Sequence, residues 1–470
     1  MKLHLKFCLI LGVLVATSCN KESIIESDTI LSSQSPTTRT AGDGIYDVLG
    51  YGYDVTDEYM GENSTKLRII DVAAFVRDHK DRFDNPFIGV IDQKVYAGED
   101  VYSFLSQVSS ESNFSGSVGS VGLESKDSQF FSATVSTGFK SNTLSSYSTQ
   151  YSFAKAEIIK KQRRYLLNTD LNTLSKYLSA TFLEDLKKYP ADKIITMYGT
   201  HLLTNIIVGG KYVAYYKSII LDETNRTEKT KSVSAGAKVN LSSIGLDANG
   251  TWNRTEVTEQ NRKNSNWECH IKSIGGSTSG TSMTINPNQG PSFTVNLGTW
   301  TESVDDNHSR LIDIDWNTTY PLYELISDPI KKAEIKNAII KYIASKQIKM
   351  IEVFPLYQFG KKGSFHYNTQ TYSLGWNREG ITCYVLLNKG TEKVVPLYQF
   401  GKKGEYHYNT QSSSLGWTND GIVCYIYQSR IYDDLVPLYQ FQLKGRYHYN
   451  TQVYSLGWKN QGIVGYVFPQ

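Results

Sequence analysis

Tyr198-Gly199-Thr200-His201 follows Tyr189 after eight intervening residues and leads, through a strand-like segment, to the pair Gly209-Gly210. Upstream the sequence reads as helix. From about Lys160 to Tyr189, residues Leu166, Leu167, Leu171, Leu174, Leu178, Phe182, Leu183 and Leu186 recur mostly at threes and fours. Pro190 stops that run. A second helical stretch is expected over roughly 328–345, where Ile335, Ile339, Ile340 and Ile343 make an apolar stripe.

On either side of the tetrad the rhythm changes. The first flank, about 103–160, ends a Ser/Gly-rich run with Phe131, Ala133, Val135, Thr137 and Phe139 alternating with Ser132, Thr134, Ser136 and Gly138. The second, about 219–271, sets Val233, Ala235, Ala237, Val239 and Leu241 against Ser234, Gly236, Lys238, Asn240 and Ser242. Ile244, Leu246 and Ala248 continue in the other phase, with Trp252 near the end. One apolar and one polar face at period two is what a membrane β-barrel strand requires. About 9–11 residues span the bilayer per strand, so each flank is long enough for a hairpin. Such a backbone is satisfied in lipid only inside a closed barrel built from many copies. The same alternation also fits a half-buried strand of a soluble sheet, and small Ala and Val side chains suit a helix before assembly.

In order and spacing these elements resemble the membrane attack complex/perforin (MACPF) family over roughly 300 residues. The tetrad is similar to its aromatic-Gly-Thr-His signature, with Tyr189 as the upstream tyrosine. Eight residues separate the two tyrosines instead of six, and Leu202 stands where the family has an aromatic. Leu49-Gly50-Tyr51-Gly52-Tyr53-Asp54 opens the domain as in bacterial members. Gly209-Gly210 and Gly275-Gly276 stand where the family keeps glycines at the bend of its sheet. The resemblance implies a bent, twisted central β-sheet flanked by helical clusters that unfurl into amphipathic hairpins, and a ring of subunits forming a β-barrel pore. Phe131, Ala133, Val135, Val233, Ala235, Ala237, Val239 and Leu241 would then face lipid. Tyr198, Gly199, Thr200 and His201 would be structural, and Gly209, Gly210, Gly275 and Gly276 would form the hinge.

The tail is a different object. Pro355-Leu356-Tyr357-Gln358-Phe359 returns at Pro396 and again at Pro437, a period of 41 residues. His366, His407 and His448 open a His-Tyr-Asn-Thr-Gln motif in each copy, and Trp376, Trp417 and Trp458 close a Leu-Gly-Trp motif. Three or four short strands per copy are expected, closing around a pseudo-threefold axis as a β-trefoil-like or β-prism-like domain. The histidines and tryptophans are candidate ligand-binding residues: rings stack on sugar faces while amides meet hydroxyls. They read equally well as core filling, and the histidines could in principle converge on zinc. Cys383 and Cys424 share one repeat position, where packing near a crowded axis is expected.

At the other end, Lys2 and Lys6 precede an apolar run from Phe7 to Ala16, the form of a secretory signal. Ala16-Thr17-Ser18-Cys19 resembles a bacterial lipobox, with Cys19 as the lipid attachment site. Expected domains are a signal peptide at 1–18, a flexible tether at 19–43, an α+β MACPF domain at 44–350 and the all-β repeats at 353–470.

Charge is nearly balanced, 49 Lys plus Arg against 46 Asp plus Glu, which argues against a nucleic-acid binder. Cys269, Cys383 and Cys424 form neither a zinc framework nor a disulfide scaffold. No nucleophile elbow or His-Glu-x-x-His occurs, so neither an enzyme nor a cofactor or metal is expected. The expectation is a secreted or outer-membrane lipoprotein, surface-anchored or released. It would act as an antibacterial pore-forming toxin whose repeats meet a glycan or outer-membrane protein receptor on the target membrane. A non-lytic adhesion protein on the same scaffold is the alternative.

Overall fold

Four long antiparallel strands form the frame of the larger domain. In the computed structural model, which describes residues 45–114, 129–140, 147–220, 225–246, 254–390 and 393–470, they are β1 (Phe87–Gly98), β2 (Tyr151–Leu167), β3 (Asn205–Ile220) and β4 (Asn264–Ile274). They pair in that order. Phe83–Asp84, Ser282–Ile285 and Arg310–Ile314 extend the sheet to seven strands. Cys19, the expected signal and tether, Ala248 and Trp252 lie outside the described residues.

Both faces of this sheet are covered, so β2 is buried without interruption from Tyr151 to Ile159 rather than on alternate residues. Register puts Lys155, Glu157, Val213, Tyr215 and Lys272 on one face. Ala154, Ala156, Ile158, Tyr212, Ala214 and Tyr216 take the other.

The helix expected from Lys160 begins later. Residues 160–167 are the end of β2 and pair on both sides, Lys161 with Val90 and with Gly209, Leu166 with Asn205. Two ladders outweigh the leucine spacing, and the charged side chains of this stretch find ion-pair partners. Lys161 pairs with Asp92 at 3.0 Å and Arg163 with Asp306 at 2.8 Å. Helix starts after Asp170, whose carboxylate caps Thr173 N. The helices used below are α1 (Val101–Glu111), α2 (Ala180–Lys188), α3 (Ala191–Tyr198), α4 (Arg226–Ser243), α5 (Arg254–Asn261) and α6 (Pro329–Ser345). In α6, Asp328 caps Lys331 N, Pro329 opens the first turn, and Ile335, Ile339 and Ile343 are buried.

In this state the two flanks are helical, as their small Ala and Val side chains allowed, and not period-two strands. Val233–Leu241 lies within α4, and residues 134–138 form a π-helical turn. Both segments carry a second periodicity that wins in this state. Phe131, Val135 and Phe139 are four apart and buried. Val233, Ala237, Leu241 and Ile244 are spaced at fours and three and are also buried. Each larger apolar side chain so buried contributes about 1.5–3 kcal/mol, which an exposed hairpin would forfeit in water.

Each tail repeat is a three-stranded antiparallel unit. The first copy is Phe354–Lys361, Ser364–Asn368 and Asn377–Val385, and the same registers recur in the other two. The units close cyclically. Tyr408 Oη donates to the Tyr367 carbonyl, Tyr449 Oη to that of Tyr408 and Tyr367 Oη to that of Tyr449, at 2.9–3.1 Å. The three rings meet edge to face at 5.4–5.6 Å. Cys383 and Cys424 are buried free thiols in the core beneath them. Gly465 stands in their place in the third copy, where a Cβ would lie 2.9 Å from the Tyr427 carbonyl oxygen and 2.5 Å from Ile426 Cδ1.

Candidate functional site

The tetrad is a clasp between chain segments. Tyr198 ends α3, is fully buried and donates to Asp185 at 2.7 Å. Thr200 donates to the Tyr53 carbonyl at 3.1 Å and accepts from Val55 N at 3.2 Å. His201 pairs with Tyr53 across the ladder, and its buried ring sits 5.4 Å from Phe114 and 6.0 Å from Trp316. A Cβ on Gly52 would meet the Tyr198 carbonyl at 1.7 Å. Two motifs about 150 residues apart, Leu49–Asp54 and Tyr198–His201, are therefore halves of one structure.

The glycine pairs also meet. Gly209 and Gly210 pair with Lys161 and Lys160 just before the bulge at Gln162, where the ladder shifts register. Gly275, at φ +73°, would drive a Cβ to 2.3 Å from Gly209 O, so only glycine fits. Trp300 closes over this crossing, its indole N–H donating to Gly275 O at 3.4 Å.

The second helical cluster lies on the aliphatic face. Gly236 brings α4 so close to the sheet that a Cβ would be 2.2 Å from Tyr216 Cε1. Val233, Ala235, Ala237 and Leu241 are buried, while Val239 is half-buried and Ser242 exposed. The polar side also has partners: Asn240 donates to Gly236 O at 2.9 Å, and Glu228 binds Lys231 and Lys263. The first cluster lies on the opposite face. Phe131 stacks edge-on against Tyr59 at 4.8 Å, Phe139 against Phe153 at 5.2 Å, and Ala133 is half-buried.

Beneath that first cluster is a set of buried charges that sequence reasoning missed. Glu157 accepts ion pairs from Lys155 at 2.9 Å and Lys211 at 3.2 Å, all three side chains almost fully buried. The Lys155 ammonium also lies 4.7 Å from the Tyr59 ring centroid and 5.2 Å from that of Tyr96. Burial drives Lys155 down to about 8, although Glu157 pulls it up. Burial would raise Glu157, but the two ammoniums outweigh it and hold the carboxyl at about 2. Glu58 binds Lys272 at 3.0 Å and Tyr215 Oη at 2.6 Å, and Lys272 also reaches Thr137 O at 3.4 Å. The signal was present in Lys155-Ala156-Glu157, charges two apart inside an apolar run.

In the tail, the histidines are tied into the Tyr ring. His366, His407 and His448 bond through Nδ1 to Tyr408, Tyr449 and Tyr367 hydroxyls, and through Nε2 to Asn368, Asn409 and Asn450. Burial pushes all three pKa values down. Trp376, Trp417 and Trp458 are half-buried, each resting on its own repeat's histidine and on an aromatic of the next repeat. Among the described residues no three His, Cys, Asp or Glu side chains are grouped to hold a metal, and no helix is long and apolar enough to cross a membrane.

The MAC/Perforin domain model matches residues 37–352, well over half of the chain, and a domain of unknown function, DUF5648, matches 359–468. No curated protein matches. Among solved structures, a protein named for cell invasion, with a MAC/Perforin domain, from Bacteroides thetaiotaomicron VPI-5482 is 16% identical. The match covers 71% of this chain and 67% of that one with a TM-score of 0.52. GNIP1Aa from Chromobacterium piscinae is 14% identical over 85% of this chain and 84% of its own, with a TM-score of 0.49. With the clasped tetrad, the four-stranded frame and the family model in agreement, the chain belongs to the MAC/Perforin domain family.

Proposed function

We propose that this protein is a surface lipoprotein that assembles into a ring and opens a β-barrel pore in a target membrane, acting as an antibacterial toxin without any catalytic step. The observation that carries this reading is the double periodicity of the two segments on the sheet faces. In water each buries a helical stripe, and extended, each presents an apolar and a polar face. The glycine crossing at Gly209, Gly210, Gly275 and Gly276 is the point at which the sheet would open. The repeats would choose the target, with a glycan or outer-membrane protein as the receptor class expected from sequence. Cys19 would anchor the chain, and Cys19→Ala should abolish fatty-acid labelling and release the protein from the membrane fraction.

The deciding experiment is dye release from vesicles and from cells of related bacteria by the mature chain. Binding without release at any concentration would sink the pore reading and leave a non-lytic adhesion protein.

A further inference from the structure

The repeat domain has two ends, and they differ in chemistry. One end, near Phe354 and Val385 of the first copy, meets the MACPF domain. Tyr384, Val394, Tyr427 and Phe468 share its core, and Gln150 donates to Pro469 O at 2.8 Å. The other end, where Lys361 pairs with Ser364 and Gly360 with Asn377, points away from it. There the three hairpin turns converge on the axis: Ser364 donates to Glu405 at 2.7 Å, and Glu405 pairs with Arg446 at 3.4 Å. These are equivalent positions of the three copies.

Two residue choices at this end are not required by the fold. Ser373-Leu374-Gly375-Trp376 is a turn closed by Trp376 N donating to Ser373 O at 3.1 Å, with Gly375 at φ +74°. The turn needs glycine third, and any polar residue would serve second. Yet leucine stands there in all three copies, with Leu374, Leu415 and Leu456 at 84%, 102% and 84% exposure. The hairpin tips are Lys362, Lys403 and Lys444, at φ +51°, +50° and +50°. Asn or Gly holds that conformation at less cost. Lys361 and Lys402 lean over Trp376 and Trp417 at 5.8 and 5.7 Å. The nearby acids are engaged, Glu405 by Arg446, Glu379 by Gln358 and Asp420 by Gln399.

We infer that this end docks on an anionic lipid surface, the three leucines entering the acyl boundary, the tryptophans lying at headgroup depth and the lysines meeting lipid phosphates. The inference rests on the reading of the repeats as the part that meets the target. Bare apolar tips beside aromatic rings and lysines are the composition of an interfacial anchor. A protein partner would need three symmetric pockets for three separate tips, whereas a fluid surface accepts them without complementarity.

The test is flotation of the full mature chain with phosphatidylcholine vesicles, with and without phosphatidylglycerol. The unmodified chain should bind anionic vesicles at least tenfold better than neutral ones. The L374S/L415S/L456S variant should lose at least tenfold on anionic vesicles with an unchanged melting temperature. The K362Q/K403Q/K444Q variant should lose the anionic preference and its salt dependence. Undiminished binding by the leucine variant overturns the inference. So does a chain that binds cells but neither vesicle, which moves recognition to a glycan or protein receptor. Dye release is scored separately per bound molecule: vesicles that bind as expected but do not leak overturn the pore and leave the docking face standing.

Discussion

Ala237 and Val239 share one apolar face if Val233–Leu241 is extended, but the helix separates them. Ala237 is fully buried against the sheet, whereas Val239 is half-buried. Ala237→Arg would bury an unpaired charge and damage the soluble fold by about 3–5 kcal/mol, so it cannot report on the pore. Val239→Arg should change monomer stability by under about 1 kcal/mol, then cost about 2–4 kcal/mol per subunit on a lipid face. Ser242→Arg, exposed in the helix and on the opposite face of the hairpin, is the matched control. Melting curves should overlay for the unmodified chain, V239R and S242R, with dye release lost only in V239R. Release by a bound, folded V239R protein would remove this hairpin from the pore. Glu157 is the second residue to test. Its carboxyl sits at about 2, below its ordinary value of 4.5. The unfolded chain therefore takes up the proton first, and the stability Glu157 provides is complete above pH 4.5 and lost as pH falls through about 2. Lys155, held at about 8 against 10.5 unfolded, is charged in both states at neutral pH; its burial cost is present there but pH-independent, and is relieved only as pH rises from about 8 towards 10.5. Glu157→Gln should cost about 3–5 kcal/mol at pH 7 by stranding two buried ammoniums. It should also flatten the acid limb of melting temperature against pH; an unchanged limb would assign that limb to other carboxylates.

For whole elements, what governs release is how tightly α4 sits on the sheet. Gly236 sets that distance beneath Tyr216, and Gly236→Ala must displace the buried Tyr216 ring or the helix that packs on it. Overpacking of this kind costs about 1–3 kcal/mol, against a gain of roughly 1 kcal/mol in helix propensity. The strain exists only in the packed helical state, so the variant should melt lower yet release dye faster per bound molecule. Slower release would mean that undocking α4 is not on the path. The same element shows what the sequence could and could not tell. Its two periodicities were both visible, but which one is used in water depends on the face that β2 and β3 offer it, which the segment's own sequence does not contain. Lys160–Leu167 misled for a related reason: leucines at helical spacing sit in a strand because two neighbouring ladders claim the backbone. The α6 stripe and the 41-residue repeats were legible because each is decided locally, by a cap, a turn or a repeated core position. Of the Lys155–Glu157–Lys211 cluster only Lys155-Ala156-Glu157 left a local trace; Lys211 needs the β2–β3 register to reach Glu157.

Across the whole molecule, the two domains do not end where their sequence patterns end. Tyr384, Leu386, Val394, Tyr427, Leu435 and Phe468 of the repeats belong to the same core as Phe153, Tyr215 and Ile343 of the MACPF domain. Thr149 bonds Val353 in both directions, at 3.1 and 3.0 Å, so the junction is a packed seam. A chain ending at 352 should therefore not be an innocent truncation. Each apolar side chain returned to water at the seam costs about 1.5–3 kcal/mol, and in a domain of this size each kcal/mol is worth about 2–4 °C. The full chain should unfold in one calorimetric transition, and the truncated chain should melt at least about 5 °C lower and self-associate through the bared face. The surface variants at Leu374, Leu415 and Leu456 should melt with the unmodified chain, which is why they, and not the deletion, separate recognition from folding. A truncated chain that melts unchanged and stays monomeric would make the repeats a passive passenger. The seam would then play no part in passing contact at the distal face to the sheet that has to open.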